Sequence, residues 1–187
     1  METTTEPHRA LSIPLTVSRP QLLTAGNDKL FRQFVHDSLA FSARLQDVRS
    51  RFAELVGLSA AGYSILITVY HLQEDGIGIN QVATHLHLSG AFVTNEVGKL
   101  IKLGWVQKRI DSADRRRVIL TVTAKGAKAL AKLAPTQAPV NDELFSGLSP
   151  QEFRQLAKIM AKLADCCDRA LELLAFLTNA NKSKVKP

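Results

Sequence analysis

Apolar residues recur at alternating spacings of three and four over two long stretches of this chain, and no other feature constrains its fold as tightly. Phe31, Phe34, Ser38, Phe41, Leu45, Val48, Phe52 and Leu55 make the first row, and Phe153, Leu156, Met160, Leu163, Cys167, Ala170, Leu174 and Leu177 the second. This spacing puts the members of each row on one stripe of a long α-helix. Each row runs for about seven turns, more than a small module between them needs for its own packing. The two seams therefore pack together, either within one chain as a helical bundle or between two chains as a dimer interface. The second helix has a marked start, with Ser149 as N-cap, Pro150 at the first helical position and Glu152 completing a capping box.

Composition removes several alternatives. The 187 residues are 45% hydrophobic and 22% charged, with ordinary glycine and proline content, which excludes collagen-like and wholly disordered chains. Cys166 and Cys167 are neighbours and cannot staple distant segments, so a disulfide scaffold is excluded and a reducing, cytoplasmic setting is expected. A secretory start is not expected either, because Met1 to Ala10 carries Glu2, Glu6 and Pro7. Leu55 to Gln73 holds no charged residue, yet Gly57-Leu58-Ser59 reads as a helix stop followed by an N-cap. The uninterrupted part from Ala60 to Gln73 would span only about 21 Å, so it reads as a buried core helix and not as a membrane span.

Charge is unevenly placed. The net charge is +7, and residues 80–130 hold nine basic side chains against three acidic ones, while 28–79 and 131–181 each hold five against six. Lys182, Lys184 and Lys186 add a basic tail. A basic middle between balanced flanks is the electrostatic pattern of a polyanion-binding module, with a merely solvated basic face as the alternative.

That middle reads as helix, helix, hairpin. Asn80 is placed to cap a short helix from Gln81 to His87 with Val82, Ala83 and Leu86 inward. Ser89 caps a second from Gly90 to Leu103 with Val93, Val97, Leu100 and Ile101 inward, and Gly104 ends it. Trp105 to Ile110 and Val118 to Thr123 are β-type runs joined by the polar Asp111 to Arg117. The result is a winged helix-turn-helix, and the fold class is mainly α with a small β-hairpin.

These residues resemble the MarR (multiple-antibiotic-resistance regulator) family of winged-helix transcription factors. The resemblance is carried by Asn80-Gln81-Val82-Ala83, Leu88 to Asn95, Leu100 to Val106, and above all Asp114-Arg115-Arg116 followed by Leu120 to Gly126, where Thr123 is the expected N-cap. It implies a homodimer in which the outer helices form the base and each winged module docks on half of a roughly palindromic site in double-stranded DNA. It further implies a cytoplasmic transcriptional regulator, most often a repressor released by a small ligand. The competing reading is an architectural DNA-binding protein with little sequence preference and no effector. The domain scheme that follows is an arm at 1–27, a dimerisation region at 28–57 and 127–179, a DNA-binding region at 58–126 and a basic tail at 180–187. The arm is expected to be mobile, with Leu11, Ile13, Leu15 and Val17 as its docking residues.

A helix entering the major groove reads bases with its N-terminal residues, so Ser89, Gly90, Ala91, Phe92, Thr94 and Asn95 are the candidates there. Asn95 suits adenine, and Phe92 suits either a thymine methyl or packing against the neighbouring helix. Lys99 and Lys102 would serve phosphates. In the wing, Arg115, Arg116 and Arg117 would approach a minor groove, with Asp114 fixing one of them by a charge-assisted hydrogen bond. Ala91, Phe92 and Asn95 depart from the hydroxyl and basic residues common in the family, and Gly98 weakens the helix by about 1 kcal/mol relative to alanine. Effectors in the family sit beside the first long helix and the one after it. There Phe41, Arg44, Tyr63 and Tyr70 offer an aromatic wall and a cation for a small aromatic acid or phenolic compound, or else Tyr63 and Tyr70 are core and Arg44 a surface ion-pair partner.

Enzyme signatures are absent. Gly76-Ile77-Gly78 lacks the rest of a dinucleotide fingerprint, and neither a phosphate loop nor a zinc or serine-hydrolase motif occurs. His85 and His87 are two apart and diverge on a helix, so no metal or cofactor is expected.

Overall fold

The computed structural model describes residues 13–111 and 114–184. The chain divides into two compact units, one reaching to Ala129 and the other beginning at Leu130. The first contains α1 (Lys29–Leu55), α2 (Ala60–Leu72), α3 (Ile79–Leu86), α4 (Gly90–Lys102) and the strands β1 (Val106–Ile110) and β2 (Val118–Val122). Helix α5 (Ala124–Leu144) starts there and continues into the second unit, which also holds α6 (Pro150–Lys184).

Local chemistry explains the boundaries. Gly57 takes the left-handed conformation (φ +70°) that ends α1, and Ser59 caps α2 by accepting the Gly62 N–H at 3.0 Å. Helix α3 starts two residues earlier than a cap at Asn80 requires. Gly78 is the N-cap, and its N–H donates to Gln81 Oε1 at 2.7 Å, so Asn80 lies inside the helix. His87 ends α3 in the left-handed region (φ +51°), and Ser89 then caps α4 through the Phe92 N–H at 3.2 Å. The expected capping box at Ser149 is present, with Ser149 N–H donating to Glu152 Oε2 at 2.8 Å and Glu152 N–H to Ser149 Oγ at 3.3 Å. Helix α5 contains Pro135 and Pro139, each of which removes one backbone donor from its interior.

The core of the first unit lies where α2 meets α1, α4 and β2. Phe52, Tyr63, Leu66, Val69, Val97, Leu100 and Leu120 are all buried there. Val93 is buried as expected, whereas Ile101 is exposed, because the last turn of α4 turns that position away from α2 and α3. The strands pair antiparallel with Lys108 opposite Leu120 and Ile110 opposite Val118. Ile77 adds a backbone contact to the sheet, accepting the Leu120 N–H at 2.8 Å.

The long stripes stay largely uncovered. On α1 the row is buried at Phe52 and exposed at Phe34, Phe41 and Leu55, and on α6 Phe153, Met160, Leu174 and Leu177 are each about half exposed, at 48–58%. Cys166 and Cys167 are exposed free thiols on the same helix. Among the described residues, no single helix is long and apolar enough to cross a membrane.

Of the proposed docking residues in the arm, Leu11 lies outside the described residues, Ile13 and Leu15 are exposed, and Val17 is half-buried. Polar groups fasten the segment instead. The Thr16 N–H and hydroxyl both donate to Asp28 Oδ2 at 2.8 Å, and Arg32 pairs with Asp28 while donating to Pro14 O. These bonds, the Thr16 N–H first and Arg32 next, lower the Asp28 pKa to about 2.

Candidate nucleic-acid interface

The two faces of α4 are chemically distinct. Val93, Val97 and Leu100 are buried, while Ala91, Phe92, Thr94 and Asn95 are exposed on the first two turns behind the half-buried Gly90 and the cap Ser89. Phe92 is 42% exposed, so packing against the neighbouring helix does not consume its ring. Thr94 donates its hydroxyl hydrogen to Gly90 O at 2.8 Å, which leaves the oxygen free to accept. Asn95 keeps both amide functions on an exposed surface, as bidentate recognition of a base edge requires.

The basic side chains sort into two groups. Lys102, Arg115 and Arg116 are exposed. Lys99, expected to serve phosphates, is bound to the buried Glu96 one turn back. Lys125 donates to Leu103 O at 2.8 Å, where it closes the C-terminal end of α4.

The wing departs from expectation in its acid. Asp114 accepts the Arg116 backbone N–H at 3.0 Å in an Asx turn, and the Arg117 N–H returns to Asp114 O at 2.9 Å, so it shapes the turn without holding a guanidinium. The acid that faces an arginine is Asp111, whose Oδ2 lies 3.5 Å from Arg117 Nη1. Arg117 also donates to Gly76 O at 2.9 Å, so it braces the wing against the α2–α3 connection. Arg115 and Arg116 are left at the turn as the exposed pair. Gln73 supports the same junction by accepting the Val122 N–H at 2.9 Å through Oε1.

Sequence reasoning missed Glu96, Asp111 and Gln73. Glu96 is the sole acid in α4 and stands three residues before Lys99, a spacing that signals an ion pair but not its burial.

The four proposed effector residues are not alike. Tyr63 is 1% exposed and belongs to the core, with Arg49 and not Arg44 over its ring at 5.4 Å. Arg44 donates to Ala40 O on its own helix, while Phe41 and Tyr70 are exposed. A spacing of seven puts Tyr63 and Tyr70 on the same face of α2, but cover is lost towards its C-terminal end.

A two-helix turn whose second helix presents its first turns to solvent, followed at once by a hairpin with an arginine-bearing turn, is a winged helix-turn-helix. A family model described as transcriptional regulator SarA/Rot matches residues 49–133. The transcriptional repressor MprA of Escherichia coli (strain K12) is 28% identical over 127 residues, which are 68% of this chain and 72% of that protein. Among solved structures, MarR superposes with a TM-score of 0.54 at 22% identity, covering 71% of this chain and 89% of that one. The MepR–DNA complex of S. aureus superposes with a TM-score of 0.52 at 21% identity, covering 80% and 99%. The chain is thus a winged helix-turn-helix protein similar to transcriptional regulators of the MarR/SarA type.

Proposed function

We propose that this protein is a sequence-specific, DNA-binding repressor that acts in the cytoplasm as a homodimer on a palindromic operator. The observation that carries the reading is the division of α4 into a buried apolar face and an exposed N-terminal face bearing Phe92, Thr94 and Asn95, with Arg115 and Arg116 exposed in the wing. Base edges would be read by α4 and the backbone by Lys102 and the wing arginines, with Asp114 and Arg117 holding the wing's shape. The repressor role is supported by the similarity to MprA, and DNA as partner by the similarity to a MepR–DNA complex.

The dimer is supported by the apolar rows on α1 and α6, whose exposed members a second copy would bury. Residues 28–57 and 127–179 are thus assigned to dimerisation, 58–126 to DNA binding, and 1–27 and 180–187 to an arm and a basic tail. Release from DNA is assigned to a small aromatic acid or phenolic compound contacting Phe41, Arg44 and Tyr70.

Selection of bound duplexes from a random pool tests the assignment. An inverted repeat is expected, and Asn95→Ala should weaken binding to it by about 1–3 kcal/mol while leaving random duplex unaffected. A featureless selected pool would refute sequence-specific recognition.

A further inference from the structure

Helix α4 carries a buried acid that the proposed interface does not use. Glu96 is 5% exposed, and each of its oxygens is engaged: Oε2 accepts the Ser59 hydroxyl at 3.0 Å, and Oε1 takes the Lys99 ammonium. Ser59 is itself held by the Gly62 N–H as the cap of α2, so the carboxylate joins α4 to the start of α2. The Lys99 bond, more than any other contact, lowers the Glu96 pKa, and the side chain is a carboxylate at neutral pH. A buried carboxylate requires a cation, and Lys99 is the one supplied. Lys102, one turn further along, is exposed and enters no ion pair among the described residues.

We infer that Glu96 limits the phosphate-binding capacity of the recognition helix: it withholds Lys99 from the DNA backbone and anchors α4 to the Ser59 cap, leaving Lys102 as the cation α4 offers to phosphate. The inference rests on the DNA-binding reading above. Its consequence is a weaker sequence-independent hold on DNA. Each phosphate neutralised adds affinity for every sequence alike, so holding one lysine back weakens the grip on random duplex and its salt sensitivity while the base-reading first two turns keep their share of the recognition. Glu96 is a positioning residue that acts through Lys99 and Ser59.

Salt dependence separates this from a purely structural role. Glu96→Gln keeps the shape and an acceptor for Ser59 while removing the charge. On random duplex, the slope of log K against log salt should steepen by about 0.9 per subunit, which makes binding about fivefold tighter at 0.15 M relative to an extrapolation to 1 M. Binding to the selected site should tighten by the same factor as binding to random duplex, and adding Lys99→Ala should return the slope to that of the wild type. Lys99→Ala alone should leave the slope unchanged, and this exposed position supplies the test even where Glu96→Gln does not fold. An unchanged slope in folded Glu96→Gln overturns the inference. A slope shallower by about 0.9 in Lys99→Ala alone also overturns it, since Lys99 would then already lie on a phosphate. Wild-type protein that binds neither duplex would overturn the DNA-binding reading itself, a result distinct from both.

Discussion

Gly126 sits in the first turn of α5, and replacing it with alanine should damage the fold in a way that can be worked out in advance. A Cβ there would lie 2.3 Å from the Trp105 carbonyl oxygen, 2.9 Å from Val122 Cγ1 and 3.0 Å from the Trp105 carbonyl carbon. That carbonyl already accepts the Thr123 N–H at 2.9 Å, and the Gly126 N–H is bonded to Thr123 Oγ1 at 3.1 Å. The Thr123 hydroxyl in turn donates to Gly104 O at 2.6 Å, so neither side of the contact can move without disturbing the closure of the wing. Bringing the contact from 2.3 Å to even 3.0 Å means opening it by 0.7 Å. Overpacking of this kind costs about 1–3 kcal/mol, and the helix preference for alanine returns at most about 1 kcal/mol. Because the clash is with backbone the cost lies at the upper end of that range, the net loss is about 2 kcal/mol, and at about 2–4 °C per kcal/mol for a chain of this size Tm should fall by about 4–8 °C. Gly98→Ala is the matched control, because its Cβ meets nothing within 4 Å in the interior of α4. It should raise Tm by about 2–4 °C. Thermal unfolding followed by circular dichroism, at one protein concentration for all variants, reads both changes. A Gly126→Ala protein melting at or above the wild-type temperature, while Gly98→Ala melts higher, would refute the packing argument.

Replacing Leu163 and Leu174 together with aspartate should convert the protein to monomer in light scattering and abolish the gel shift, since each buried unpaired charge costs several kcal/mol, on the order of 3 or more. A dimer with full DNA binding would remove the α6 row from the interface. Arg116→Ala should make the salt slope shallower by about 0.9 with Tm unchanged, whereas Arg117→Ala should lower Tm because it loses Asp111 and Gly76 O. Identical melting of the two variants would contradict that division. Asp28 has its pKa lowered from 3.8 to about 2, so its contribution to stability is complete above 3.8 and is lost as pH falls through about 2. Asp28→Asn should therefore melt below wild type at neutral pH and converge with it in acid, and a gap constant down to acid pH would exclude the carboxylate charge as the cause.

The parts of this fold that were legible in the sequence are those written in apolar spacing and turn chemistry. Ser59, Ser89, Thr123 and Ser149 mark helix starts because a short hydroxyl side chain before an apolar period has few other uses, and each is found capping. Asn80, whose amide oxygen can also cap, misleads, since Gly78 and Gln81 form the start two residues before it. The polar network of the site was harder to read. Asp114 and Asp111 flank the same loop with equal claims on an arginine, and only the register of β1 against β2 puts Asp111 beside Arg117. Glu96 was hidden for a related reason: a lone acid on a basic helix suggests a solvated charge, and its burial depends on α2 arriving with Ser59 from thirty-seven residues away. Helix α5 was legible at Thr123 and lost afterwards, because Pro135 and Pro139 argue locally against the helix they occupy.

Helix α2 holds a different element at each end. At its start Ser59 grips Glu96 of α4, and just beyond its last residue Gln73, Gly76 and Ile77 grip the wing through Val122, Arg117 and Leu120. Its 13 residues therefore act as a gauge bar, about 20 Å long, with a jaw at either end. Substitutions along it alter how firmly the bar is seated. A single inserted or deleted residue would change its length by only about 1.5 Å but would turn one jaw about 100° around the axis relative to the other. The distance and angle between the base-reading helix and the wing are thus set by a residue count in a helix that belongs to neither.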